Sequence, residues 1–194
     1  MSLRGFGEAF NEEARGGEGK RVLVGYSMGA RLALHALLAK GSWDAAILVA
    51  PHPGLEMAEE RAERRVSDAR WAGLAMSGDW REFLTEWGAQ PLLAGVLAGD
   101  PPSESSRREI ARSFVDWSLG AQEPLWQRLP EISCPVLWCV GERDQKFREF
   151  GERAVGLLPN AELWIAAGAG HRVPWEQPEA FRSKVGEFLE RVLS

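Results

Sequence analysis

The chain has 194 residues, with 23 Lys and Arg against 28 Asp and Glu, for a net charge of −5. That length gives one domain, or two small ones, with enough chain to bury a core, and the acidic balance argues against a dedicated nucleic-acid binder, which needs a basic footprint. At 45% hydrophobic and 26% charged it reads as a soluble globular chain, and its two cysteines, Cys134 and Cys139, exclude a disulfide scaffold and read as buried, reduced thiols of a cytoplasmic protein.

In chain order, residues 3–15 read as a short amphipathic helix stopped by Gly16-Gly17. This opening stretch is acidic and has no apolar signal core, which argues against secretion. No apolar run reaches the ~18 residues of a membrane span, so no membrane partner is expected. Arg21-Val-Leu-Val24 is a continuous apolar run suited to a strand buried on both faces. Residues 28–40 follow at helical period, with Ala30, Leu34, Leu37 and Leu38 on one side and Gly41 as the stop. Further buried strands are expected at Ala45–Ala50, Pro135–Val140 and Ala161–Ala166, and further helices at about 146–157 and 178–192. Strand–helix alternation of this kind means an α/β fold with a parallel sheet. Residues 54–130 break the rhythm. They are rich in Arg and Trp, lack a strand-like run, and are punctuated by Gly78, Gly88, Pro91, Gly95 and Asp100-Pro101-Pro102. They read as an inserted helical cap, expected over the carboxyl ends of the strands, where open α/β sheets bind ligands. The core is then 1–53 together with 131–194. Nine tryptophans against one tyrosine point to an aromatic-lined interior or pocket, and Trp71, Trp80, Trp87, Trp117 and Trp126 fall within the inserted stretch.

The sharpest chemical signal is Gly25-Tyr26-Ser27-Met28-Gly29, a G-x-S-x-G directly after a buried strand and directly before a helix. In that context it reads as a nucleophile elbow, a turn so tight that a Cβ at either glycine is expected to clash. It exposes the Ser27 hydroxyl at a helix N-terminus, where the dipole favours negative charge and the Met28 amide can serve as one oxyanion donor. The chain has three histidines from which to draw a base. His35 lies two turns into the helix, pointing away from the strand end. His52 sits in the rigid Pro51-His52-Pro53-Gly54 turn and could line a pocket. His171, in the small-residue loop Gly168-Ala169-Gly170-His171 after the last strand, is the expected base. Asp144 of Gly141-Glu142-Arg143-Asp144 is the expected orienting carboxylate, with Glu142 facing outward. The order Ser27, Asp144, His171 is that of the α/β-hydrolases.

These segments resemble the α/β-hydrolase superfamily. Within it, GYSMGARLAL, HPGLEMAEERAERR, Trp87-Gly-Ala-Gln-Pro91, LGAQEPLW and GERDQKF resemble the 2-succinyl-6-hydroxy-2,4-cyclohexadiene-1-carboxylate synthases of menaquinone biosynthesis. The resemblance implies a lyase that eliminates pyruvate from an enolpyruvyl cyclohexene, with the triad serine taking a ring proton. The substrate is a small anionic polycarboxylate, so arginines are implied in its pocket. The matching positions are Arg31 and Arg64, with Tyr26 and Trp87 as further pocket positions. A third family arginine has Arg107, Arg108 and Arg112 as candidates. No cofactor and no metal site is implied, since neither ligand spacing nor a nucleotide fingerprint is present.

In the resembled fold the serine follows the fifth strand, but only 26 residues precede Ser27 here. The first four strands and the HG-type loop with the second oxyanion donor are therefore expected to be missing, leaving one side of the 20–25 strand open. Three readings stand: a lyase of the menaquinone pathway, a serine hydrolase of a small ester or thioester, and a truncated, inactive domain that forms a homo-oligomer through its exposed sheet edge.

Overall fold

In the computed structural model, which describes residues 2–16, 18–90 and 102–194, four strands form one parallel sheet in the order β1 (Val22–Tyr26), β2 (Ala45–Val49), β3 (Val136–Gly141) and β4 (Ala161–Ala166). Helices connect them: α1 (Leu3–Glu13) precedes β1, α2 (Met28–Leu38) leads to β2, and α6 (Gln145–Val155) leads to β4. A short α7 (Val173–Glu176) and a long α8 (Pro178–Leu193) close the chain. This is the α/β-hydrolase arrangement of a parallel sheet with helices.

Side-chain parity along the strands builds two cores, one on each face. Ala46 and Leu48 of β2 and Val136, Trp138 and Val140 of β3 pack with α2 and α6. Ala45, Ile47 and Val49, with Leu137 and Cys139, face the other way against Val173 and Phe188. The two central strands are buried at every residue, which is why they read as unbroken apolar runs. Each fully buried aliphatic side chain contributes about 1.5–3 kcal/mol. The edge strand β1 departs from the sequence expectation of burial on both faces. Val24 is 60% exposed, whereas Leu23, on the opposite face of the same strand, is buried with α2.

Local signals also need adjustment. The left-handed residue after α2 is Lys40 at φ 59°, so Gly41 is not the conformational stop. Gly41 is needed for space instead. A Cβ there would lie 2.3 Å from both Asn11 Oδ1 and Trp43 Nε1, which hydrogen-bond across it at 2.9 Å. Asn11 Nδ2 in turn donates to the Ala36 carbonyl at 2.7 Å, tying α1 to α2. Gly17, Pro91, Gly95, Asp100 and Pro101 lie outside the described residues.

The chain divides into two compact units. Residues Leu3–Pro53 and Leu125–Ser194 carry the sheet, and Met1–Ser2 with Gly54–Pro124 make the other. The second unit holds α3 (Ala58–Ser77), α4 (Trp80–Gly88) and α5 (Glu104–Asp116). Its own core gathers Ala72, Ala75, Trp80, Phe83 and Ala111, flanked by Trp71 and Trp87. Arg107 closes the end of α3 by donating to the carbonyls of Ala75 (2.8 Å) and Gly78 (2.6 Å). Trp126 belongs to the sheet unit, 2% exposed and stacked under the Arg153 guanidinium. Cys139 is buried, and burial pushes its thiol well above the ordinary value; Cys134 is half-buried, and both are free thiols. No described helix is long and apolar enough to cross a membrane.

Helix α8 is fastened to β4 by Glu162, which pairs with Lys184 and Arg191. Lys184, then Arg191, holds the Glu162 carboxyl below the ordinary glutamate range against the opposing effect of burial. A lowered folded-state pKa means stability that is present above the unfolded value of about 4.3 and lost as pH falls through the folded one. Glu162→Ala should therefore cost up to about 1 kcal/mol at neutral pH. Urea unfolding of parent and variant should converge in acid, below the glutamate range.

Candidate active site

Strand β1 runs into helix α2 through one residue, Ser27, at φ 50° and ψ −113°. A positive φ is costly for a residue with a Cβ, on the order of 1–3 kcal/mol. The turn is anchored by the Ser27 amide, which donates to the Val49 carbonyl of β2 at 2.8 Å. Gly25 makes the turn sterically feasible: a Cβ there would stand 2.7 Å from Ala30 Cα and 2.8 Å from the Gly29 carbonyl oxygen. The second glycine does not behave as the motif suggests. A Cβ at Gly29 would meet nothing within 4 Å, so no clash enforces glycine at that position.

The serine is drawn into a hydrogen-bonded chain with residues far away in sequence. Asp144 precedes α6, where an aspartate commonly caps its own helix, but its side chain makes no cap bond and turns to His171 instead. His171 Nδ1 donates to Asp144 Oδ2 at 2.7 Å, and the Ser27 hydroxyl donates to His171 Nε2 at 3.0 Å. A carboxylate oxygen only accepts, which sets the imidazole tautomer. Asp144 and His171 are 8% and 7% exposed, so water competes little for these bonds. Phe147 packs on the His171 ring at 4.6 Å between centroids, and Tyr26 at 5.6 Å. Burial raises the Tyr26 phenol above its ordinary value; Arg172 opposes this and the Asp144 and Glu176 carboxylates add to it, so the hydroxyl stays protonated.

Met28 opens α2, ahead of the first intrahelical bond from the Arg31 amide to the Ser27 carbonyl at 3.1 Å. Its amide is one of the N-terminal donors that a helix cannot satisfy internally. Arg31 is buried on α2, one turn from Ser27. The expected positions Arg64 and Trp87 lie in the helical unit. There Arg64 Nε donates to both oxygens of the buried Asp68 at 2.9 Å, and Trp87 packs edge-on against Trp71 and Phe114. Of the other arginine candidates, Arg107 is engaged as described, Arg108 pairs with Glu104 and Arg112 with Asp116. His35 is buried within α2, and His52 is buried against Phe150. Among the described residues no group of His, Cys, Asp and Glu could hold a metal ion.

Sequence reasoning missed how the loops holding Asp144 and His171 are stitched together. The Glu142 and Arg143 amides donate to the Ala166 and Ala169 carbonyls at 3.0 and 2.8 Å. Glu142 is exposed, as expected, and its carboxylate accepts from the Gly168 amide at 2.8 Å. Glu176 accepts from the amides of Gly170 (2.8 Å) and Arg172 (2.9 Å), on either side of His171. The loop lies so close over Gly141 that a Cβ there would be 2.0 Å from the Gly170 carbonyl oxygen. The spacing of Glu142 and Glu176 from the histidine loop was visible in the sequence, but their direction was not.

A family model described as the alpha/beta hydrolase family matches residues 2–184. The chain belongs to that family. It resembles proteins named 2-succinyl-6-hydroxy-2,4-cyclohexadiene-1-carboxylate synthase. One from Bacillus subtilis (strain 168), which bears the name provisionally, is 33% identical over 183 residues, 89% of this chain and 67% of that protein. One from Salmonella newport (strain SL254) is 30% identical over 174 residues, 86% of this chain and 67% of that protein. Among solved structures, MenH from S. aureus superposes with a TM-score of 0.85 at 24% identity, covering 100% of this chain and 77% of that one. A thermophilic esterase from Thermogutta terrifontis, with malate bound, gives 0.71 at 20% identity, covering 100% and 74%. The two structures establish the fold.

Ser27→Gly, which relieves the positive φ, should be about 1 kcal/mol more stable than Ser27→Ala, as read by urea unfolding. Gly141→Ala must push the histidine loop away and should cost about 1–3 kcal/mol while slowing fluorophosphonate labelling of Ser27.

Proposed function

We propose that the chain is an enzyme in which Ser27, His171 and Asp144 act as a catalytic triad, and that its reaction is the elimination of pyruvate from 2-succinyl-5-enolpyruvyl-6-hydroxy-3-cyclohexene-1-carboxylate in menaquinone biosynthesis. The observation that carries this reading is the 30–33% identity to synthases of that name over 86–89% of the chain. The serine–histidine–aspartate hydrogen-bond chain supports it, because proton abstraction needs a base of this kind within hydrogen-bond reach.

In this reading His171 Nε2 takes the Ser27 hydroxyl proton and the serine oxygen takes a ring proton from the substrate. The electron pair left behind forms a ring double bond as the carbon–oxygen bond to the enolpyruvyl group breaks. The departing enolate is protonated to pyruvate, so protons and electrons balance without a cofactor. Asp144 holds the histidine tautomer and stabilises the imidazolium. The Met28 amide at the start of α2 is the proposed donor to developing negative charge. Arg31 is the proposed partner of a substrate carboxylate, since a guanidinium matches it bidentately, with Tyr26 as an aromatic contact.

Hydrolysis of a small ester is the second reading, favoured by the serine at a helix N-terminus with a histidine at 3.0 Å, an arrangement equally suited to acyl transfer. A lactate dehydrogenase-coupled assay on the enolpyruvyl substrate separates the two. The parent should release pyruvate and Ser27→Ala should lose about 10³-fold or more in rate. Folded parent with no Ser27-dependent pyruvate, but with turnover of p-nitrophenyl acetate, would reverse the order of the readings.

A further inference from the structure

We infer that Glu176 is a positioning residue for His171, gripping the backbone on both sides of the histidine so that its imidazole stays aligned between Ser27 and Asp144. The inference rests on the triad reading above and adds a residue to it.

The geometry is specific. His171 follows a loop of small residues, Ala167 to Gly170, after β4. Ala169 anchors this loop in the core, but the two glycines beside it carry no side chain to set where the ring goes. One Glu176 oxygen accepts from the Gly170 amide at 2.8 Å and the other from the Arg172 amide at 2.9 Å. A single carboxylate thus spans the backbone donors immediately before and after His171. Glu176 closes the one-turn helix α7, whose last residues fold back onto the loop that precedes them. Arg143, on the loop that also carries Asp144, reaches the same carboxylate at 3.4 Å, so the clasp is tied to both loops. Burial opposes the charge on Glu176, but the two amide bonds and the nearby Arg143 and Arg172 outweigh it and hold the carboxyl below the ordinary glutamate value. The grip is therefore ionised at neutral pH.

A carboxylate offers an acceptor to each amide, whereas glutamine offers one acceptor and a donor, so Glu176→Gln opens one side of the grip with little change in size. Small misalignments of a reacting group cost rate out of proportion to the stability they cost. For Glu176→Gln, the maximal rate constant for fluorophosphonate labelling of Ser27 should fall about tenfold, with the half-saturating probe concentration unchanged. The downfield proton resonance of His171 Nδ1–H should broaden or vanish in the same variant. Arg143→Ala, which leaves both amide bonds in place, should label within about twofold of the parent. Near-UV circular dichroism and melting of each variant report folding. In the unaltered protein, the Gly170 and Arg172 amides should be protected from hydrogen exchange, a readout independent of any variant's folding. Parental labelling and an intact Nδ1–H resonance in folded Glu176→Gln, or unprotected amides in the parent, would overturn the inference. His171→Ala labelling as fast as the parent would instead remove the triad reading, leaving the clasp to be judged by the resonance and the amide exchange.

Discussion

Ser27 is held at φ 50°, a backbone conformation that its own side chain disfavours, and the neighbouring structure supplies what keeps it there. The β2 strand accepts its amide, Gly25 lets α2 close onto the strand, and α2 itself is fixed by the core beneath Ala30 and Leu34. The strain has a chemical consequence. It places a hydroxyl at the end of a strand and the start of a helix, with the Met28 amide beside it. A relaxed turn would spread these groups over several residues. The two cores on the faces of the sheet, with their central strands buried at every position, are the reservoir of stability against which this local cost is small.

The rest of this hydrogen-bonded chain depends on close approach between two loops. Asp144 and His171 come from the turns after β3 and β4, which are neighbours in the sheet. Parallel strands end at the same edge, so their following loops are adjacent whatever else the chain does. Gly141 allows those loops to touch, and backbone bonds from Glu142 and Arg143 lock them. The histidine packs against Phe147 and Tyr26, and the backbone on which it rides also donates to the carboxylates of Glu142 and Glu176.

The helical unit follows a different logic. Its aromatic residues stack on one another, with Trp71, Trp80, Phe83, Trp87 and Phe114 making a core of their own. The arginines of this unit are largely engaged within it. Arg107 caps a helix end, Arg65 donates to the Gly120 carbonyl at 2.7 Å, and Arg64 joins Asp68, which also accepts from the Ser118 hydroxyl. A run of arginines is therefore a weak guide to ligand binding until the partner of each is known.

The sequence by itself determined the four strands, the helices after them, the elbow at Ser27 and the order in which Asp144 and His171 follow. Each of these is written in neighbouring residues: an unbroken apolar run, a helical period, a glycine two positions from a serine. Tertiary structure decided what depends on segments meeting through space. It joined His171 to residues 27 and 144 positions away, and brought the exposed Glu142 carboxylate to the Gly168 amide. It left Val24 exposed on an edge strand and showed that Gly25, and not Gly29, bears the steric demand of the turn. It also brought Glu176 back onto the loop of His171. No local pattern carries these outcomes, because a hydrogen bond or a van der Waals clash is set by the distance between two segments, and that distance exists only once the sheet has formed.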